Sequence, residues 1–513
     1  MHGLFRLPDL ADLPGVASVD SPDQQHLSAT YLDTVDLRLV RAGITLRRRT
    51  GGIDSGWHLK LPRPLPPVTQ AHRGSGPAPE LSRDELRMPL DSSAGPMAPV
   101  ELVDLVQGWT RGTPLIEVAT LDTERTAHRL RDDTGTGLAE VVDDSVSVVD
   151  QGRVAVRFRE LEVELLAPAE SPSYPTAARV RTEVVERLVQ AGAIPGGLGS
   201  KLARALGPRA LAGPEIPGPR PVAPHDPAAL VVAELITRQT SALLRWDLGV
   251  RRGSEDAVHQ MRVAARRLRS GLRAFPRLID DEWALAREAE LAWLAGELGP
   301  ARDAEVLLDR LVSAAAALGE PESTLASALV GKRLGEAGDR HAAAARASVR
   351  DPRYLAMLDA LVVASGDPPT TAAAAGPAAA VLPRLVAHAW QSLAKQVARL
   401  GPKAPDEQWH RARIQAKRAR YAVDAVAEVF GDPARELATG LARITDVLGE
   451  HQDAVVAAET CRELAASPRV GGRTGFALGR LHAGQRAAAQ SARQELVRVW
   501  PEVSRPRLRQ WMG

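Results

Sequence analysis

His259-Gln-Met-Arg-Val-Ala-Ala-Arg-Arg-Leu-Arg269 returns 151 residues later as His410-Arg-Ala-Arg-Ile-Gln-Ala-Lys-Arg-Ala-Arg420. A second pair follows at an offset of 150: Leu298-Gly-Pro-Ala-Arg-Asp303 and Leu448-Gly-Glu-His-Gln-Asp453. Two signatures at nearly one offset mark an internal duplication, and they predict a helical region built from two similar bundles.

At about 100° per residue, His259, Arg262, Arg266, Arg269 and Arg273 fall within an arc of about 80°, with Met261, Ala264, Leu268 and Leu272 on the opposite side. The second copy repeats the stripe with His410, Arg413, Lys417 and Arg420. Like charges at these spacings cost about 0.2 to 0.5 kcal/mol each, and neither stretch holds an acid to offset them. A single stripe of this kind reads first as a solvated face or as a partner of acids on neighbouring helices. Duplication favours another reading. Two equivalent stripes in a pseudo-symmetric pair can converge on one groove, and Arg and Lys about 5 Å apart suit a string of phosphates. The two histidines would donate to phosphate when protonated. Asp303 and Asp453 each stand without a neighbouring carboxylate, which suits capping or orienting a basic side chain better than binding a metal.

Outward from this repeat, the pattern is helical from about residue 228 almost to the end, with a break at Gly366-Asp-Pro-Pro-Thr-Thr and an Ala-rich run to Ala380. Halves of about 228–365 and 381–510 follow. Upstream, 207–227 holds seven prolines and three glycines, which can continue neither a helix nor a ladder, and reads as a linker. Before it, residues 1–206 form a different unit. Gly43-Ile-Thr-Leu-Arg-Arg-Arg49, Trp57-His-Leu-Lys-Leu61 and Val154-Ala-Val-Arg-Phe158 alternate with period two and are predicted strands. Pro62 to Gly76 reads as a long exposed loop, and residues 176 to 192 switch to helical spacing. The fold class expected is α+β: an antiparallel barrel or tunnel, then an all-α domain of two duplicated bundles.

Within the strands, Thr45, Arg47 and Arg49 share one face while Ile44 and Leu46 take the other, and His58 and Lys60 oppose Trp57, Leu59 and Leu61. Covered by helices on its apolar side, such a sheet can close around a lumen that suits a polyanion. Its polar face can equally meet solvent. Glu160-Leu-Glu-Val-Glu-Leu165 sets three carboxylates on one face, mutually repulsive unless a cation or an arginine sits among them. Mg²⁺ or Mn²⁺ on carboxylates, with Arg and Lys on the phosphate oxygens, is the usual equipment for phosphoryl transfer to water.

The duplicated HxxRxxxRRxR-type motif with LGxxxD resembles the CHAD domain, a conserved-histidine α-helical domain that binds inorganic polyphosphate. The likeness spans about residues 226 to 505. It implies a cationic cavity lined by His259, Arg262, Arg266, Arg269, His410, Arg413, Lys417 and Arg420. Over about residues 1 to 206, Tyr31-Leu-Asp-Thr, the Gly43–Arg49 and Trp57–Pro62 stretches, Ala139-Glu-Val-Val-Asp-Asp144 and Glu160-Leu-Glu-Val-Glu resemble the CYTH, or triphosphate tunnel, fold. That resemblance implies a metal-dependent triphosphatase, with Arg47, Arg49, Lys60, Arg125 and Lys201 on phosphate and Asp144, Glu162 and Glu164 supporting Mg²⁺ or Mn²⁺. One departure stands out. The family opens with a strand carrying ExExK, and this sequence begins instead at His2-Gly-Leu-Phe-Arg-Leu-Pro. The expected tunnel therefore lacks its first strand, either in the protein itself or through a start assigned too late, and the first case puts metal binding and hydrolysis at risk.

Composition bounds the rest. With 65 Lys+Arg against 63 Asp+Glu, anion binding must come from local patches rather than the overall field. The single cysteine, Cys461, can form no internal disulfide. No stretch reaches about 18 uninterrupted apolar residues and the start lacks a signal-peptide pattern, so a cytoplasmic protein is expected, associated with polyphosphate granules. Aromatics are only 4%, which leaves little base-stacking equipment and disfavours a nucleic-acid partner. The function expected is polyphosphate binding joined to a triphosphatase; the alternative is a non-catalytic polyphosphate-binding protein with a degenerate tunnel.

Overall fold

The computed structural model describes residues 5–62, 83–90, 95, 97–150, 152–195, 200–401 and 403–513. Most of the loop expected from Pro62 to Gly76 lies outside them. The chain divides into two compact units, Met1–Glu215 and Ile216–Gly513.

Alternating apolar and polar residues give the first unit an eight-stranded antiparallel sheet. Its strands are β1 (Ser18–Val19), β2 (Asp23–Asp33), β3 (Thr45–Thr50), β4 (Gly56–Pro62), β5 (Arg83–Met88), β6 (Ile116–Arg131), β7 (Gly137–Asp150) and β8 (Arg153–Leu165). They run in the order β5-β4-β3-β2-β6-β7-β8, with β1 on β6. Helices α1 (Arg38–Arg41), α2 (Val100–Thr110), α3 (Tyr174–Gln190) and α4 (Lys201–Leu206) complete the unit. The barrel is open: among the described residues, β5 pairs only with β4 and β8 only with β7.

Register sets the two faces. Thr45 lies opposite Lys60 and Arg47 opposite His58, so these polar groups share one side, and Leu46 and Leu59 on the other are fully buried. Across β6 and β7, Leu130, Leu138 and Val141 form a core with Val180, Val184 and Leu188 of α3. Short α4 takes the polar side instead. There Leu202 packs with Ala29, Tyr31, Leu121 and Val146, and the side chain of Ser200 caps the helix by accepting from the Ala203 amide. The Tyr31-Leu-Asp-Thr motif proves architectural. Buried Asp33 accepts from the amides of Leu39 and Val40, both at 2.9 Å, and so fastens α1 to the end of β2.

The second unit is helical: α5 (Ala228–Arg252), α6 (Ala257–Ala274), α7 (Asp281–Ala316), α8 (Glu322–Ser348), α9 (Pro352–Gly366), α10 (Ala378–Val397), α11 (Asp406–Phe430), α12 (Asp432–Ala465) and α13 (Gly472–Val503). The duplication is visible in its hydrogen bonds. Ala228 N donates to Gly376 O at 2.9 Å and Ala378 N donates to Asp226 O at 2.8 Å. The two bonds exchange residues 150 apart, as a pseudo-two-fold axis requires, and they join the starts of α5 and α10. The copies also share a core, in which Leu311 and Cys461, and Val330 and Leu481, meet in one cluster. Burial pushes the Cys461 thiol up to about 11, which marks it as a packing residue.

Candidate functional site

Helices α6 and α11 each bury an Ala-rich stripe, including Ala264 and Ala265 on one and Ala412, Ala416 and Ala419 on the other. The basic stripes are consequently left on the opposite faces. Those faces meet. Burial first, then Arg266, Arg413 and Arg262, drive the Lys417 ammonium down to about 6. Arg413 is lowered too, by burial and by Arg266 and Arg262 across the groove, although Asp453 opposes the shift. Arg269 is lowered by burial and by Arg273 and Arg266.

Acids answer only part of this charge. Asp303 lies 2.8 Å from Arg262, and Asp453 lies 3.9 Å from Arg413, so both aspartates of the LGxxxD motifs orient the arginine of the matching stripe. Arg262 also lies over Gly299 of that motif, 3.5 Å from where a Cβ would sit. Arg420 reaches Asp424 at 3.6 Å and donates to Thr445 at 2.9 Å, and Arg273 pairs with Glu288. Among the described residues Arg266, Arg269 and Lys417 have no carboxylate within ion-pair distance. The Nε donors of Arg262 and Arg413 are buried without a hydrogen-bond partner. Buried donors without acceptors are costly, and in a groove of cations an anion satisfies them.

The histidines part company. His410 Nδ1 contacts Gln452 Oε1 at 2.8 Å. His259 meets Arg302 at the equivalent place, and burial followed by that guanidinium holds its imidazole below the usual range.

In the first unit, β3, β4, β5, β6, β8 and the start of α4 surround a polar cavity of about 390 Å³. Arg47, Arg49, Lys60, Arg125, Lys201, Glu162 and Glu164 all line it; Asp144 lies fully buried beneath them. Most of its cations are already matched. Arg125 makes two bonds to Asp144, at 2.9 and 2.7 Å. Lys201 sits 2.7 Å from both Asp144 and Glu162, and Arg49 lies 2.9 Å from Asp54. Arg47 is the exception: it donates to the Tyr31 hydroxyl at 3.1 Å and faces no carboxylate within ion-pair distance among the described residues. Its Nε and that of Arg49 are buried and unbonded. Burial, then Arg47, lowers the Lys60 ammonium, while burial raises the Glu160 carboxyl.

A divalent cation does not fit the carboxylates as they stand. Both oxygens of Asp144 and one of Glu162 are bonded to Arg125 or Lys201. Among the described residues no three His, Cys, Asp or Glu side chains are placed to hold a metal.

The CYTH domain family matches residues 9–175, and the CHAD domain family matches residues 234–462. This chain belongs to the CYTH–CHAD proteins. Two relatives from Mycobacterium tuberculosis, Rv2226 of strain H37Rv and MT2285 of strain CDC 1551, are each 35% identical over 515 residues, 95% of this chain and 92% of the relative. Both carry the description "uncharacterized protein". Among solved structures, PptA from Streptomyces chartreusis is 28% identical with a TM-score of 0.48, covering 54% of this chain and all of that one. The CHAD domain from the plant Ricinus communis is 26% identical with a TM-score of 0.43, covering 54% and 96%. CYTH and CHAD domains in tandem mark a polyphosphate-related protein, and CYTH domains are in general metal-dependent. No helix among the described residues is long and apolar enough to cross a membrane.

Some groups in the CYTH cavity escaped the sequence reading. Glu85 and Arg87 reach it because β5 pairs Lys60 with Glu85 and His58 with Arg87. Glu85 is held well below the usual carboxylate range, first by its hydrogen bond with His58 and, against burial, by Arg87 and Lys60. The alternation Asp84-Glu-Leu-Arg-Met88 was the available signal.

Proposed function

We propose that this protein binds inorganic polyphosphate along the CHAD groove and takes a triphosphate, free or as a chain end, in the CYTH cavity. One observation carries the reading: the cations of α6 and α11 face each other at the pseudo-two-fold axis, with buried guanidinium donors left unbonded. A linear polyanion supplies acceptors for those donors and screens the repulsion at once. Arg47, with its unbonded Nε and no carboxylate partner, is the corresponding receptor in the cavity. Titration of the full chain with polyphosphate of defined length, by calorimetry at several salt concentrations, tests this. Tight binding that weakens steeply with salt is expected; affinity for single-stranded RNA exceeding that for polyphosphate would sink it. Residence in the cytoplasm, at polyphosphate granules, goes with the reading.

A metal-dependent triphosphatase is the second reading, favoured by Glu160, Glu162 and Glu164 standing in one cavity with Arg47, Arg49 and Lys60; it requires Asp144 and Glu162 to be released from the Arg125 and Lys201 groups that hold them here. It expects phosphate release from tripolyphosphate only with Mg²⁺ or Mn²⁺, lost in Arg47→Ala and in Glu164→Ala. Lack of turnover in either metal would leave the cavity as a binding site alone.

A further inference from the structure

The two halves of the CHAD domain are not filled alike. At the start of α11, Asp406 holds two guanidinium groups, Arg486 at 3.0 Å and Arg493. Arg493 lies over the Trp409 ring at 5.2 Å, and Trp409 stacks on His451 at 5.1 Å. Burial, then Arg493, pushes the His451 imidazole down to about 4, so the ring stays neutral and accepts from Arg493 Nε at 3.1 Å. The space between α11, α12 and α13 is thus occupied by the protein's own rings and guanidinium groups.

The duplication shows what stands there in the first half. The offset is 151 for α6 and α11 and 150 for α7 and α12. Buried pairs Ala326 and Ala477, Val330 and Leu481, and Ala345 and Leu496 put α8 and α13 at 151 as well. By these offsets Trp409 corresponds to Val258, His451 to Ala301, Arg486 to Gly335 and Arg493 to Ala342. Asp406 corresponds to Glu255, which keeps the carboxylate. Two rings and two guanidinium groups have been replaced by small residues around a retained acid.

The result is a cleft of about 330 Å³ whose lining includes Glu255, Val258, Ala301, Gly335 and Ala342. Val250, Leu308 and Leu334 add apolar floor, and Asp256, Glu305 and Asp339 add acids at the rim. Its basic groups are His259, Arg302 and Arg346. Arg302 is paired with Glu305 at 2.7 Å, and His259 is held below its usual range. Four carboxylates against two guanidinium groups leave the cleft negative at neutral pH, beside an otherwise cationic groove.

We propose that this cleft binds a small guanidinium compound, which sets on Glu255 the group that Arg493 sets on Asp406 and lays its alkyl chain over the Ala301–Ala342 floor. A planar fork pairs with a carboxylate in a way an ammonium does not, and the volume lies at the lower end of the range for small-ligand sites. The site differs from the polyphosphate groove in ligand charge, so either proposal can fail without the other.

Agmatine is the probe, with putrescine as the amine lacking the fork, titrated into the full chain by calorimetry. Agmatine is expected to bind at least about tenfold more tightly than putrescine, with Glu255→Gln weakening it by about tenfold. Ala342→Arg rebuilds the second-half arrangement from within and is expected to abolish agmatine binding while polyphosphate affinity stays unchanged. No binding at about 10 mM agmatine, equal binding of putrescine, or unchanged agmatine binding in either variant overturns the proposal.

Discussion

The CYTH cavity and the CHAD groove hold similar side chains under opposite electrostatic arrangements. In the cavity nearly every cation has an internal carboxylate: Arg125 and Lys201 on Asp144, Arg49 on Asp54, Arg87 on Glu85. In the groove, Arg266, Arg269 and Lys417 stand against like charge, and burial lowers Lys417 and Arg269 further. A matched cation belongs to the fold, and removing it strands its partner. An unmatched cation draws no such support from the fold, and removing it relieves like-charge repulsion; on the proposed reading it also weakens the polyphosphate complex. Residue type alone does not separate these roles; the local charge balance does.

The largest expected effect comes from Lys201→Ala, which leaves Asp144 and Glu162 facing each other with one cation fewer. Urea unfolding of the CYTH unit should show a loss of about 3 kcal/mol, by analogy with breaking buried ion pairs. An unchanged transition would mean that the cavity is not internally matched. Next, Arg266→Ala with Lys417→Ala should cost about 100-fold in polyphosphate affinity at about 0.1 M salt and reduce the salt slope by about two. The same variant should melt no lower than the parent, and a clear loss of Tm would erase the contrast between the regions.

How much of this was legible follows from periodicity. The stripes on α6 and α11 could be read because a helix repeats every 3.6 residues and the chain wrote the pattern twice, and period two likewise revealed the shared faces of Arg47, Arg49 and Lys60. Neither period says which cation meets which acid. Lys201 reaches Asp144 only because Leu202 docks α4 on the polar side of the sheet, a tertiary contact with no local signal. Asp33 stood in a recognisable motif, yet its task of holding the Leu39 and Val40 amides emerged only from geometry. Glu85 and Arg87 were hidden behind the long Pro-rich stretch.

Smaller effects sharpen the contrast further. Arg47→Ala should weaken tripolyphosphate binding by about tenfold with Tm unchanged, since no carboxylate is stranded; a loss of stability would assign Arg47 to the fold. Lys417 gives a pH test. Its folded value of about 6 lies below the ordinary 10.5, so the unfolded chain binds more protons between these limits and stability rises with pH across them. Polyphosphate draws the proton back, so affinity should increase by a few-fold as pH falls from about 8 towards 6. Lys417→Arg should flatten that dependence because a guanidinium stays charged. A pH-independent parent would contradict the burial of this ammonium.

The paired bonds between Ala228 and Gly376 and between Ala378 and Asp226 relate the starts of α5 and α10 by a half turn, and the basic stripes of α6 and α11 follow the same relation. Inorganic polyphosphate is a palindrome: read from either end, it offers one sequence of identical units. Stripes related by a half turn suit a polymer without direction, and on the proposed reading a polyphosphate chain would enter from either side. A nucleic acid strand, whose ends differ, would find only half of such a receptor the right way round.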